Sequence, residues 1–274
     1  MRLLNHRSLL GLFTLAAALV TTPLHAEGDH GLKLGMQTWT LRNLSFEKAV
    51  DFCAEHQIKY MELIPNHLNP NGSRDEWQKK KAYMQEKGII PYTFGVAGTS
   101  MKEEENRKLF ECAKFFGMKL IVVEPGDFKI LDQLADLAKE YDINVAIHNH
   151  GIKSMYGNPA VTKNLLKHLD KHIGVCMDAG WIASSRFDPS RVYKDFEGRV
   201  YDIHLKDKKV EGGPNGDKIT DVYLGEGDAN LKGLIKTLQA ANWDGVLAIE
   251  TDNDLKDPTE HTVKAIEFFK EAQK

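Results

Sequence analysis

The residues able to do chemistry fall at the ends of apolar runs. Val200–Lys208 reads VYDIHLKDK: it starts apolar and alternating and closes on His204, Lys206 and Asp207. His204 and Lys206 are two apart, so on a strand both project to one side, while Ile203 and Leu205 project to the other and pack under a helix. Other runs end in the same manner, on Glu62, on Glu124, on His148 with His150, on Asp178 and on Glu250. Carboxylates brought to one place repel unless positive charge sits among them. A single divalent cation meets that need. Carboxylates with one or two imidazoles suit Mn²⁺, Co²⁺, Fe²⁺ or Zn²⁺, and with fewer nitrogens Mg²⁺. Any one of these side chains alone reads as a helix cap, a salt-bridge partner or a surface group. Across the later strands together they read as one site.

Such a site needs elements that bring the ends together. Strand candidates are Leu32–Thr40, Ile58–Ile64, Ile89–Val96, Met118–Glu124, Ile143–Gly151, Ile173–Gly180, Val200–Asp207 and Val246–Thr251. Between them the spacing of apolar residues predicts helices over 46–56, 74–87, 102–116, 128–141, 159–170, 189–196, 231–241 and 258–272, with Ser45 as an N-cap and Gly117 as a stop. The Gly-rich stretch Glu211–Gly227 reads as the longest loop. Strand plus helix, repeated eight times without a linker, is the pattern of a single (β/α)8 barrel, an α/β fold, over residues 27–274. The strands' C-terminal ends then form one rim, where barrel active sites lie. A doubly wound sheet would want a Gly-rich turn after an early strand, and this chain has none there.

The N-terminus is separate. Arg2 and Arg7 precede an apolar run, Leu9–Val20, and Leu24-His25-Ala26 puts a small residue at a cut position. Residues 1–26 are expected to be a signal peptide, which makes the protein exported and periplasmic; the run is too short for a comfortable membrane anchor. The remaining chain holds 39 acidic residues against fewer basic ones and shows no basic stripe, which argues against nucleic acid as a partner. With 42% hydrophobic and 27% charged residues it reads as a soluble globular protein. Cys53, Cys112 and Cys176, odd in number and widely spaced, read as buried free thiols.

The motifs AIHNHG (146–151), VCMDAG (175–180), DIHLKD (202–207), LGEGD (224–228) and VLAIE (246–250) resemble those of the xylose isomerase-like TIM-barrel superfamily, and the resemblance runs from Leu32 to about Phe269. It implies a divalent metal, Mn²⁺ favoured, held by Asp178, His204 and Glu250 with a fourth ligand from Glu124, His148 or His150. The better-known epimerase branch carries a glutamate at the fifth strand end; this chain has His148 and His150 there and is similar to an HNH-type sub-branch. Many relatives also have a histidine soon after the sixth-strand aspartate, where this chain has Trp181.

The chemistry implied is removal of a proton next to a carbonyl. His148 or His150 is the expected base, and Lys206 the expected stabiliser of negative charge on substrate oxygen. Glu62, Trp39, Trp181 and Glu226 are expected at the substrate, a small carbohydrate. An exported enzyme without an Arg/Lys cradle calls for a non-phosphorylated sugar. Within the resemblance, β-elimination of 3-keto-glycosides or the related hydration comes first. Aldose–ketose isomerisation, keto-sugar epimerisation and a non-catalytic sugar-binding barrel are the alternatives. A homo-oligomer is compatible with the sequence, which selects no oligomeric state.

Overall fold

The computed structural model describes residues 31–213 and 218–274; the expected leader, residues 1–26, lies outside them. The described chain runs β1 (Lys33–Gln37), α1 (Phe46–Glu55), β2 (Tyr60–Leu63), α2 (Arg74–Glu86), β3 (Ile90–Phe94), α3 (Glu103–Phe116), β4 (Leu120–Val123), α4 (Lys129–Tyr141), β5 (Asn144–His148) and α5 (Pro159–Leu166). Next come β6 (Ile173–Asp178), α6 (Ala179–Ser184), α7 (Pro189–Asp195), β7 (Val200–Leu205), β8 (Lys208–Glu211), β9 (Lys218–Asp221), α8 (Leu231–Ala240), β10 (Val246–Ile249) and α9 (Thr259–Ala272).

Eight parallel strands pair in the order β3-β2-β1-β10-β7-β6-β5-β4. Just past the end of β3 the Ala97 N–H donates to the Val122 carbonyl within β4 at 2.8 Å, and this bridge brings the outermost strands together. The eight strands and the helices between them form the expected barrel. Sequence signals set the element ends. Ser45 and Ser73 accept from the N–H groups of Lys48 and Glu76, and Gly117 takes φ 79 to end α3.

Alternation along the strands sorts side chains into two layers. One face of each strand packs under the helices in the main core, with Ile203, Leu205, Val145 and Ile147 among its members. A separate small cluster, Leu120, Val122, Ala146 and Cys176, packs together on the other. With that second cluster so small, polar side chains occupy buried positions on the same strands: Glu62, Asp178, Asp202 and His204 are each 0% exposed. The three cysteines are free and buried, as expected; burial pushes the Cys112 thiol up to about 12.

Two regions differ from expectation. The sixth strand stops at Asp178 rather than Gly180, because the Asp178 side chain accepts the Trp181 N–H at 2.8 Å and starts α6 there. The stretch expected as a loop, Glu211–Gly227, contains a strand, β9, which pairs antiparallel with β8 just before it to make a ribbon. Its base is fixed by buried charge: Asp207 accepts N–H bonds from Gly225, Gly227 and Ala229, and Lys208 pairs with Asp221 and with Asp252. None of the helices among the described residues is long and apolar enough to cross a membrane.

Candidate metal centre and its cavity

Neighbouring strands of one half of the barrel end on the donor groups. β5 delivers His148, β6 Asp178, β7 His204, and the residue after β10 is Glu250. Parallel register sets Asp178 beside His204, and the Glu250 N–H donates to the Leu205 carbonyl at 3.3 Å. One donor atom from each of the four lies within 4.8 Å of every other. His148 Nε2 is 3.7 Å and His204 Nδ1 4.0 Å from Asp178 Oδ2, and His204 Nδ1 is 2.7 Å from Glu250 Oε2.

These same four atoms, His148 Nε2, Asp178 Oδ2, His204 Nδ1 and Glu250 Oε2, are buried and make no hydrogen bond of good geometry, although His204 Nδ1 faces Glu250 Oε2 at 2.7 Å and Lys206 Nζ reaches Asp178 Oδ2 at 3.0 Å. A buried polar atom without a partner costs about 1–3 kcal/mol, more when charged. Four such atoms aimed at one another are accounted for by a cation between them, so the donor set of two imidazole nitrogens and two carboxylate oxygens fits a divalent transition metal.

A surrounding layer orients the donors. Glu62 Oε2 lies 2.9 Å from His204 Nε2, and Glu124 Oε2 lies 3.4 Å from His148 Nδ1 while also contacting His150 Nδ1. Each donor imidazole thus has its second nitrogen on a carboxylate, which fixes ring and tautomer. Asn149 Oδ1 accepts the Asp178 N–H. Lys206 Nζ sits 3.0 Å from Asp178 Oδ2, 3.2 Å from Glu250 Oε1 and 3.0 Å from Asp252 Oδ1. Deeper in the barrel the Tyr92 hydroxyl donates to Asp202 Oδ1 at 3.0 Å.

The charges are strongly coupled. Burial alone would raise the carboxylate pKa values, yet Lys206 and the imidazoles hold Asp178 and Glu250 below the usual range. Burial likewise opposes the charged imidazole of His148, but Asp178 and Glu124 outweigh it and raise its pKa. His204 is raised further by Glu62 and Glu250 among its neighbours, and Lys206 by Asp178, Glu250 and Asp252. This is a site rich in negative charge that draws cations or protons.

Above the donors opens a cavity of about 380 Å³. Its polar lining includes His148, His150, Glu250 and Asp252; its apolar lining is Trp39, Ile64, Pro65 and Val96. The expected residues therefore divide. His148, Asp178, His204 and Glu250 converge. Of the three candidates for a fourth ligand, His148 has its Nε2 among these four atoms, while Glu124 stands behind it and converges with His148 and His150 in a second group. Half-exposed His150 and Trp39 line the cavity.

Glu62, expected at the substrate, is fully buried against His204 and does not line the cavity. Lys206, 1% exposed, lies among the donor carboxylates rather than in the cavity wall. Trp181 is off the wall as well, with Lys208 Nζ 3.9 Å from its ring. Glu226 is exposed and lines a different cleft, with Tyr223 and His261. Asp252 and Asn66 were not anticipated. Asp252 lies two residues beyond Glu250, a spacing that could have revealed it.

Residues 50–272 match the model of the family described as xylose isomerase-like TIM barrel. The chain is similar to an inosose dehydratase of Clostridium perfringens, 28% identical over 155 residues, 52% of either chain. It spans about half the length of the curated relatives it matches first. Among solved structures, an uncharacterized protein of Parabacteroides distasonis is 29% identical, with a TM-score of 0.68 over 88% of this chain and 98% of that one. The IolI protein, solved with a bound zinc atom, is 17% identical with a TM-score of 0.72 over 88% and 98%, a likeness of fold.

Proposed function

The chain belongs to the xylose isomerase-like TIM-barrel family, and on that footing we propose that it is a divalent-metal-dependent lyase of non-phosphorylated keto-sugars. The carrying observation is the set of four buried, converging donor atoms below a cavity with a second histidine in its wall. His148, Asp178, His204 and Glu250 would hold the metal, and their nitrogen content favours Mn²⁺ over Mg²⁺. When bound, the ion supplies Lewis-acid polarisation of the substrate's ketone oxygen.

The chain's own residues do the proton work. His150 keeps Nδ1 against Glu124. With the Nδ1 proton donated to that carboxylate, Nε2 carries the lone pair and serves as the base. In a 3-keto-glycoside the proton leaves C2. Its electron pair forms the C1–C2 double bond, the C1–O bond breaks, and the departing oxygen takes up a proton. Lys206 balances Asp178 and Glu250 so that both carboxylates stay ionised in a buried place.

The likeness to inosose dehydratases favours elimination, because a dehydratase also expels an oxygen group. Among the described residues the cavity wall includes neither Arg nor Lys, which supports an unphosphorylated substrate. The proposal includes export to the periplasm, supported by Arg2, Arg7 and the apolar Leu9–Val20.

Proton NMR of the Mn²⁺-loaded mature protein in D₂O tests the reading, with a 3-keto-glucoside and separately with free aldoses and ketoses. Release of the aglycone, lost on chelation, is the expected result. Deuterium entering a free sugar without bond cleavage would replace the lyase with an isomerase or epimerase. Silence with every sugar would leave a binding barrel.

A further inference from the structure

The cavity's two walls differ in chemistry, and the difference bears on what leaves the substrate. His148, His150, Glu250 and Asp252 line the cavity from β5 and β10; Trp39, Ile64, Pro65 and Val96 line it from the ends of β1, β2 and β3, interrupted by the exposed Asn66 amide and by Gln37, whose amide is already engaged with the Gly95 carbonyl and the Trp39 N–H. A sugar ring carries hydroxyls around its edge. Pressing them against three aliphatic residues would strip their water without replacing it, at a cost of about 1–3 kcal/mol for each unpaired group.

Trp39 is also held in place. The Arg42 guanidinium carbon lies 4.6 Å from the indole centroid. Arg42 donates to the Trp39 carbonyl at 2.8 Å and to the carbonyls of Asp252 and Asn253 at 3.0 and 2.9 Å. It therefore ties the loop after β1 to the loop after β10, the loop that bears Glu250. An aromatic ring kept 41% exposed and braced from behind loses little freedom when a ligand covers it.

Three exposed apolar side chains lie on loops that follow strand C-terminal ends. Met101, on the loop after β3, and Ile152 and Met155, on the segment after β5, are 59%, 52% and 40% exposed. Those loops belong to the strand ends that carry the site.

We propose that the Trp39–Ile64–Pro65–Val96 wall is a subsite for an apolar or aromatic leaving group, so that the substrates are keto-glycosides of hydrophobic alcohols or phenols rather than free keto-sugars. The inference deepens the lyase reading and rests on it for the word "leaving". The polar side holds the keto-sugar ring; the apolar side receives the aglycone and releases it after the C1–O bond breaks.

Calorimetric titration of the Mn²⁺-loaded protein with phenyl β-glucoside and with methyl β-glucoside tests the wall directly. Neither probe carries a ketone, so neither reacts. The phenyl glycoside should bind at least about tenfold more tightly, about 1.4 kcal/mol. Trp39→Ala should reduce the ratio to near one, and Trp39→Phe, which keeps a ring, should retain most of it. Equal affinities, a preference that survives Trp39→Ala, or absence of heat from both glycosides would overturn the subsite. Aglycone release from keto-glucosides is scored separately. A phenyl preference in binding without any release would leave the wall standing and remove the lyase. Release that proceeds equally from phenyl and methyl keto-glucosides, with equal binding, would do the reverse.

Discussion

The two halves of the barrel use the same architecture for different work. β5, β6, β7 and the end of β10 present four buried donor atoms that converge within 4.8 Å of one another. β1 to β4 and the loops after them present two supporting carboxylates, Glu62 and Glu124, and most of the apolar cavity wall. One half is charged and converging; the other sets the donor rings and shapes space. The difference shows why carboxylates at strand ends are not equivalent. Glu62 and Glu250 both sit at strand ends and both touch His204, yet Glu62 meets Nε2 and Glu250 approaches Nδ1. Which nitrogen a carboxylate meets decides whether it orients the ring or joins the ring in holding an ion.

The comparison breaks most sharply if a member of the donor half is dispensable. Asp178→Ala and His204→Ala should each weaken Mn²⁺ binding by at least about 100-fold, the upper range for loss of an orienting partner. Turnover should become undetectable, with folding checked by circular dichroism. Unchanged turnover in both, with the fold intact, would remove the proposed centre. Next in size is the response to the ion itself. At about 100 times its Kd, bound metal stabilises the folded state by about 2.7 kcal/mol. For a barrel of this length that raises Tm by roughly 5–10 °C. Scanning calorimetry before and after chelation measures it. A Tm that ignores Mn²⁺ would mean that the four atoms do not bind it.

Much of this division could be read from the chain. The strand ends offered Asp178, His204 and Glu250 among several candidates, alternation put His204 with Lys206 on one side of its strand, and the resemblance to the superfamily's motifs implied the three as a metal-holding set. The choice among Glu124, His148 and His150 was not readable. It depends on β5 ending at His148, which leaves Nε2 beside Asp178, while Glu124 sits opposite Nδ1. Glu62 looked like a substrate contact because its partner is 142 residues away, and no local pattern reports a contact across the barrel. The ribbon β8–β9 escaped notice for a similar reason. Its four-residue strands carry mostly polar side chains, and its anchor is Lys208 with Asp221 and Asp252 rather than an apolar face.

Changes in the supporting half should be smaller and of another kind. Glu124→Gln and Glu62→Gln keep size but weaken the hold on His148 and His204. Each should lower Mn²⁺ affinity by about 10- to 100-fold without abolishing binding. Competition with a chelating dye reads this out. Glu124→Gln should also lower kcat at saturating metal, because His150 loses the carboxylate facing its Nδ1. Glu62→Gln at saturating metal should spare kcat far more. Equal kcat losses in the two variants would mean that His150 is not the base and that Glu124 acts through the metal donors alone.

The smallest effect belongs where charge braces the fold without serving chemistry. Asp170 precedes β6 at the end of the strand opposite the donors. It accepts from the His172 N–H at 2.9 Å, contacts His172 Nδ1 at 2.7 Å and pairs with Lys139 at 3.2 Å. His172, with Lys139 adding to it, holds the carboxyl below the usual range against a smaller opposing effect of burial. An acid whose folded pKa is depressed contributes stability above its unfolded value of about 3.9 and loses it as pH falls through the folded value. Asp170→Asn should therefore lower Tm slightly at neutral pH, and the difference from the parent should shrink steadily below about pH 4. Metal affinity and turnover should stay as they were. If Asp170→Asn changed Mn²⁺ affinity as much as Glu124→Gln does, the barrel's two ends would be coupled, and the assignment of chemistry to one rim would need a relay along β6 to explain it.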